Sequence, residues 1–353
     1  MARRAHLVGS IPGTSAAEAM EAALSRLAPY LLTLSDGETG PRAWWIGACI
    51  RNMGDNPDVE LTGGGQRDFS SYQDVPQYRL RQDATLSPAN LEACLPYEDA
   101  FTGSYPLFRD LRVKYGRPDL PFQVGIPGAL DLAVDAFGFE VGFDPRYYQP
   151  ALEATASQVS KIGMAGGDDV VFQLETPAAL ISTAMADDAA AAAQTAGQMA
   201  ALTIQLPAAV PAGTRFGVHL CLGDLNHKSM IGMRDIGPAV VLANELAAAW
   251  PSDRTLEFIH MPFAAAEEPP AFDPAFYRPL TQLNIPESVR FIAGCIHENL
   301  SSDKQVELLR MIESQAGREA DVAAACGLGR RPDVAQAWDA MEKALLLVES
   351  QPA

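Results

Sequence analysis

Arg215-Phe216-Gly217-Val218-His219-Leu220-Cys221-Leu222-Gly223-Asp224 is an apolar run that closes on a histidine, a cysteine and a Gly-Asp turn. From Phe216 to Leu222 the run is hydrophobic on both alternating faces, which reads as a buried β-strand. Side chains two apart on a strand share a face, so the His219 imidazole and the Cys221 thiol project together. An imidazole nitrogen beside a thiolate sulfur is a zinc-type donor pair. A third donor of this kind, Cys326 in Ala325-Cys326-Gly327-Leu328-Gly329, again follows a short apolar stretch. The same spacing also admits a plainer reading, a core histidine packed beside buried cysteines.

Outward from this strand the chain alternates. Similar apolar runs fall at residues 5–9, 31–34, 122–126, 169–174, 255–259, 289–296 and 320–325. Between them lie helical patterns at 148–164, 187–205, 236–250, 303–316 and 332–349. Ser15-x-x-Glu18 is a capping-box signature for a further helix, which Pro29 ends. Together with 215–222 this gives eight strands alternating with helices, the pattern of parallel β/α packing. The turn after the first strand, Gly9-Ser10-Ile11-Pro12-Gly13, lacks G-x-G-x-x-G spacing. The expected fold is therefore α/β, a closed (β/α)8 TIM barrel, in preference to an open doubly wound sheet.

One barrel domain is expected to span residues 1–353, with one long interruption at roughly 39–120 after the second strand. This insertion carries Trp44, Trp45, Phe69, Tyr72, Tyr78, Tyr97, Phe101, Tyr105 and Phe108, with Gly63-Gly64-Gly65 as a turn or hinge. Helical pieces are expected at 42–52, 88–95 and 106–115. Its aromatics fit either a lid or substrate wall, or a small satellite core.

A net charge of −18 with scattered arginines argues against nucleic-acid or anionic-membrane partners, which need clustered cations. No run approaches the ~20 apolar residues of a membrane span. The five cysteines, an odd number, suggest no disulfide framework. No long apolar segment precedes Gly9, so a reducing cytoplasm is expected.

Reacting groups of (β/α)8 barrels sit at the C-terminal ends of the strands. Those ends hold Ser10, then Asp36 and Glu38, then Glu175, His219 with Cys221, His260, His297 and Cys326. Three of the five histidines fall there, which favours a metal site over scattered core histidines. His6 reads as structural, His227 as a solvated loop residue, and Cys49, Cys94 and Cys295 as packing residues. Asp168-Asp169 and Glu267-Glu268 read as solvated surface. No G-x-S-x-G elbow, H-E-x-x-H helix or P-loop is present.

His219-x-Cys221 with the distal Cys326-Gly327-Leu328 resembles the zinc-binding pattern of the cobalamin-independent methionine synthase family, in its catalytic barrel and shorter single-barrel relatives. The resemblance runs from Val8-Gly9-Ser10 to Cys326-Gly327-Leu328 and leaves the long loop unmatched. It implies Zn2+ held by His219, Cys221 and Cys326. Val8-Gly9-Ser10 resembles the motif whose serine holds the carboxylate of homocysteine. Asp36-Gly37-Glu38 resembles the motif whose glutamate binds its amino group. Gln173-Leu174-Glu175-Thr176-Pro177 resembles the fourth-strand acidic-Pro motif, with Glu175 where the family has aspartate.

The departures carry chemistry of their own. Where the family has a zinc glutamate this chain has His260, which makes His260 the expected fourth ligand; Glu257 lies inside the strand. Ala324 and Ala325 replace the proline and aspartate that commonly precede the last cysteine. His297, near an acidic or histidine position of the family, is expected to protonate or orient the leaving group. A neutral fourth ligand would make the zinc a stronger Lewis acid and its bound thiolate a weaker nucleophile, suited to a reactive electrophile.

The implied activity is zinc-dependent transfer of a methyl or other alkyl group to a small-molecule thiol such as homocysteine. The implied donor is a folate, a corrinoid or an activated electrophile such as an epoxide or sulfonium. Without His260 as a ligand, the set resembles the alkylthiol transferases, including epoxyalkane:coenzyme M transferase. Two rivals are a zinc hydrolase or lyase acting on a C–S or C–O bond and a non-catalytic metal or thiol carrier. A related decarboxylase family shares the barrel but lacks the His-x-Cys plus Cys set.

Overall fold

A computed structural model describes residues 2–44, 46–65 and 71–350; Trp45 and Phe69 of the insertion lie outside them. In chain order the strands are β1 (Val59–Gly63), β2 (Gln77–Leu80), β3 (Phe122–Pro127), β4 (Val170–Glu175), β5 (Arg215–His219), β6 (Thr255–Pro262), β7 (Arg290–Ile296) and β8 (Asp321–Ala324). The last six form one parallel sheet in sequential order, β3-β4-β5-β6-β7-β8. Each is buried along nearly its whole length, as expected for a parallel sheet covered by helices.

The apolar runs at 5–9 and 31–34 do not form regular strands. Ala5 makes single parallel bridges to Leu31 and to Val322 of β8, and Leu34 makes one to Phe122 of β3. Backbone hydrogen bonds accompany them, including His6 N to Val322 O at 2.9 Å, Leu32 N to Ala5 O at 3.0 Å and Gln123 N to Leu34 O at 2.9 Å. The ladders stay short because side chains satisfy part of the backbone. The amides of Gln123 and Gln173 both donate to the Val8 carbonyl, and Ser35 Oγ donates to that of Gly9.

Five helices follow the sequence pattern closely: Pro145–Gly166, Ala189–Thr203, Gly237–Ala249, Ser302–Ala316 and Val334–Glu349. Ser15 caps Ala16–Leu27, but only half a capping box forms, since the Glu18 carboxylate bonds to Thr14. Two helices of eight or more residues escaped the pattern, Ala129–Phe137 and Pro177–Ala184. Both are short and buried nearly all round; Pro177–Ala184 has no charged residue to mark a polar face, and Ala129–Phe137 has only Asp131 and Asp135.

In the insertion, β1 and β2 pair antiparallel, and helices cover Ile46–Asn52, Pro88–Glu92 and Tyr97–Lys114. The last begins nine residues before the expected start at Pro106, which sits inside it. Glu98 and Asp99 in its first turn favour the earlier start by complementing the helix dipole. Its Phe101, Tyr105 and Phe108 pack around Phe122 of β3, with ring centroids 5.8, 5.7 and 4.8 Å away. Among the described residues no helix is long and apolar enough to cross a membrane.

Candidate functional site

His219 is the last residue of β5 and Cys221 follows two residues on; Cys326 comes two residues after the end of β8. Donor atoms of the three lie within 4.8 Å of one another. A hydrogen bond with Cys326 and then burial push the Cys221 thiol well above its usual range, so this protein environment alone opposes ionisation. Such a thiol needs a cation beside it to become a thiolate.

The histidines show which nitrogen is available. His260 Nε2 lies 3.0 Å from the Ala324 carbonyl, which only accepts, so Nε2 carries a proton. Burial holds His260 neutral, lowering it to about 4, and its Nδ1 is then an acceptor. Facing that Nδ1 at 2.7 Å is Nδ1 of His219, which must donate. His219 is neutral as well, since burial and the neighbouring His260 push it well below its usual value. Its Nε2 is left with a bare lone pair, buried and without a hydrogen-bond partner, 3.7 Å from Glu175 Oε2.

A lone pair with two thiols at this range fits the nitrogen and sulfur donors that zinc takes, with room for a further ligand. His260, expected as the fourth ligand, does not gather with these three donors: one of its ring nitrogens faces His219 and the other the Ala324 carbonyl.

Above the two thiols is a pocket of about 420 Å³ bordered by Ser10, Glu38, Glu175 and Arg330. Glu38 reaches it from a tight turn in which Gly37 and Glu38 both have positive φ (79° and 49°) and Asp36 Oδ1 accepts the Glu38 N–H at 3.0 Å. A non-glycine residue held there is strained, a feature that clusters at functional sites. Gly9 and Gly125 make space for it: a Cβ on either would come within 2.6 or 2.8 Å of Glu38 Oε1.

Burial raises the Glu38 carboxyl to about 7, against the opposing pull of Arg330 and Arg42. Glu175 is pushed well up by burial and by Glu38, and the Gln173 amide holds its Oε1 at 2.5 Å. His6 in turn anchors Gln173 at 2.8 Å, which is the structural role expected of it. The Ser10 hydroxyl is buried with no partner. The pocket thus offers carboxylates, a hydroxyl and a guanidinium that the protein does not pair with one another.

His297 does not border this pocket. Its Nε2 lies 3.0 Å from the Ala266 carbonyl and its Nδ1 accepts the Asn299 N–H at 3.2 Å, so no ring nitrogen is free to protonate a leaving group. It groups with His227 and Glu298. His227 is buried, not solvated as its loop position suggested, and its Nε2 meets Glu298 Oε1 at 2.5 Å. Arg331 holds the other Glu298 oxygen at 3.0 Å. His227, Glu298 and Arg331 thus form a buried ion-pair network, with His227 Nδ1 left without a hydrogen-bond partner 3.9 Å from Asp224 Oδ2.

The sequence reading missed Arg330 and Asp224, and named Tyr72 only as one of the insertion's aromatics. Arg330 closes a short 3-10 turn, Leu328–Arg330, directly after Cys326-Gly327, and that proximity was its only signal. Tyr72 belongs to the insertion. Its hydroxyl meets the Lys228 carbonyl at 3.2 Å, and burial followed by Cys221, Asp224 and Cys326 raises it. Trp44, Ile46 and Tyr72 line a larger cavity of about 740 Å³ that shares Pro177, Gly223, Asp224 and Arg330 with the smaller pocket.

No protein-family model matches the sequence, and no curated protein matches it. Among solved structures, the chain is similar to one described as "Putative Vitamin-B12 Independent Methionine Synthase from Listeria monocytogenes". The identity there is 12% over 97% of this chain and 95% of that one, with a TM-score of 0.48. It is also similar to a methyltransferase from Methanosarcina mazei, at 14% identity over 97% and 93% of the two chains, again with a TM-score of 0.48.

Proposed function

We propose that this protein is a zinc-dependent transferase that places a methyl or other alkyl group on the sulfur of a small thiol amino acid, homocysteine or a close analogue. The observation that carries the reading is the bare, buried Nε2 lone pair of His219 grouped with Cys221 and Cys326 beneath a polar pocket. Zinc bound by these three residues would supply the positive charge that lets a substrate thiol ionise at neutral pH.

The chain's own residues do the rest. Glu38 and Glu175 present carboxylates to an ammonium group, while the Ser10 hydroxyl and Arg330 suit a carboxylate. His260 keeps His219 in the tautomer whose Nε2 is free, and Gln173 fixes Glu175. An ammonium group would draw Glu38 and Glu175 into their charged forms, which a sulfonate cannot do, and this argues for an amino-acid thiol over coenzyme M. The single bridges at Ala5, Leu31 and Leu34 support one (β/α)8 barrel. Trp44 and Tyr72, which line the larger cavity, support the insertion as a substrate wall.

Metal analysis and calorimetry test this. Wild-type protein should carry about one zinc ion per chain, and Cys221→Ser should lose it. The zinc-loaded protein should bind homocysteine more tightly than coenzyme M. Full zinc occupancy in Cys221→Ser, or tighter binding of coenzyme M, would overturn the reading.

A further inference from the structure

The larger cavity holds a carboxylate that the thiol pocket does not use. Its walls are mostly apolar and aromatic, among them Trp44, Tyr72, Phe139 and Ile181, and Asp135 reaches it from the helix Ala129–Phe137. One turn earlier Asp131 has a structural duty, since its Oδ1 accepts the Ala178 N–H at 2.7 Å at the start of Pro177–Ala184. Asp135 has none: among the described residues no hydrogen bond or ion pair reaches it. Burial alone lifts its carboxyl to about 7. Arg330, a cation that borders the same cavity, is bonded to the Ala43 carbonyl and does nothing to hold Asp135 charged.

A half-buried carboxylate facing a mostly apolar cavity without a protein partner is costly to keep charged, and the occupant decides whether that cost is met. A neutral apolar ligand leaves it in place, and an anion adds to it. A cation whose charge is flanked by carbon removes it and also gains attraction from aromatic faces.

We propose that this cavity binds the alkyl donor as an onium cation, of the sulfonium or quaternary ammonium type, with Asp135 as its counter-charge. The proposal rests on the thiol-alkylation reading of the adjoining pocket and names the donor class for it. In the transfer, the thiolate's electron pair forms the new C–S bond. The pair of the donor's C–S or C–N bond leaves on a neutral thioether or tertiary amine, and the thiol's proton has already gone to solvent. The donor's positive charge disappears in the step, so the spent donor loses its hold on Asp135 and dissociates more easily.

The test titrates wild-type protein, Asp135→Asn and Cys221→Ser with benzyldimethylsulfonium and with isobutylbenzene, its near-isosteric neutral analogue. Binding is read by calorimetry, so no turnover is required. Wild type should prefer the cation by about ten-fold or more. Asp135→Asn should lose that preference while still binding the neutral analogue, and Cys221→Ser should keep it. Equal affinities in wild type, or a preference that survives in Asp135→Asn, would overturn the proposal. A preference that holds while Cys221→Ser retains its zinc would sink the metal reading and leave the cation site standing.

Discussion

Nδ1 of His219 and Nδ1 of His260 face each other at 2.7 Å, and this contact leaves Nε2 of His219 bare toward the thiols. The relationship follows from strand register. Along β5 and β6 the pairing advances by one residue between Phe216 and Gly217, which sets His219 directly beside His260. The rings then lie with centroids 4.6 Å apart.

Replacing His260 by leucine should therefore weaken zinc binding without abolishing it. A group that orients a metal-ligating histidine is typically worth about 10–100-fold in affinity. The His219 N–H and the Ala324 carbonyl would also be left buried and unpaired, a cost of about 1–3 kcal/mol in stability. Chelator competition and chemical denaturation measure the two effects. Unchanged zinc affinity would show that His260 plays no orienting part, and total loss would restore it as a ligand.

Glu38→Gln should impair recognition of the substrate's amino group. Homocysteine affinity is expected to fall by about 10–100-fold, the value of a charged hydrogen bond. The amine-free analogue 4-mercaptobutanoate should change little. Because the Glu38 carboxyl is raised to about 7, it is largely protonated below that pH and charged above it. Wild-type preference for the amine-bearing thiol should accordingly increase as pH rises through 7. A preference that is flat with pH and survives the substitution would remove Glu38 from amine binding.

The alternation of strands and helices was legible because each strand of the parallel sheet is built around a short apolar run and most helices keep one polar face. His219, Cys221 and Cys326 could be grouped because each follows such a run. What sequence could not supply was the direction of a ring. His260 and His297 stand at strand ends as a ligand or acid would, yet their nitrogens are spent on Ala324, His219, Ala266 and Asn299. Asp135 was hidden for a different reason: its helix Ala129–Phe137 was not anticipated from the sequence, and nothing there showed that the face carrying Asp131 and Asp135 turns toward a cavity.

The buried network of His227 and Glu298 should shape stability across pH. Burial lowers His227, but the Asp224 carboxylate 3.9 Å away and the contact with Glu298 outweigh it and bring it to about 9, above the ordinary 6.5. Burial raises Glu298, but His227 and Arg331 outweigh it and bring it to about 2, below the ordinary 4.5. The histidine's contribution is complete below pH 6.5 and is lost as pH climbs through 9. The glutamate's is complete above pH 4.5 and is lost as pH falls through 2. Thermal melts should be highest between these limits. His227→Asn, which tolerates the positive φ of 60° found there, should flatten the alkaline limb. An alkaline limb identical to wild type would refute the assignment.

Gly217→Ala should strike both the fold and the site. Gly217 pairs with Phe258 across β5 and β6, and a Cβ on Gly217 would come within 2.1 Å of the Phe258 ring. That ring is fully buried and packs at 4.7 Å from His6, so it has little room to yield. Overpacking of this kind typically costs about 1–3 kcal/mol. Phe258 is two residues before His260 on the same strand, so a displaced ring should also disturb the His260–His219 contact and lower resistance to chelators. Trimming the ring isolates the cause: Gly217→Ala combined with Phe258→Leu should recover part of both losses relative to the two single variants, a coupling that a double-mutant cycle measures directly. Additive losses in that cycle would mean that the two residues do not press on each other and that the bare lone pair of His219 does not depend on this packing.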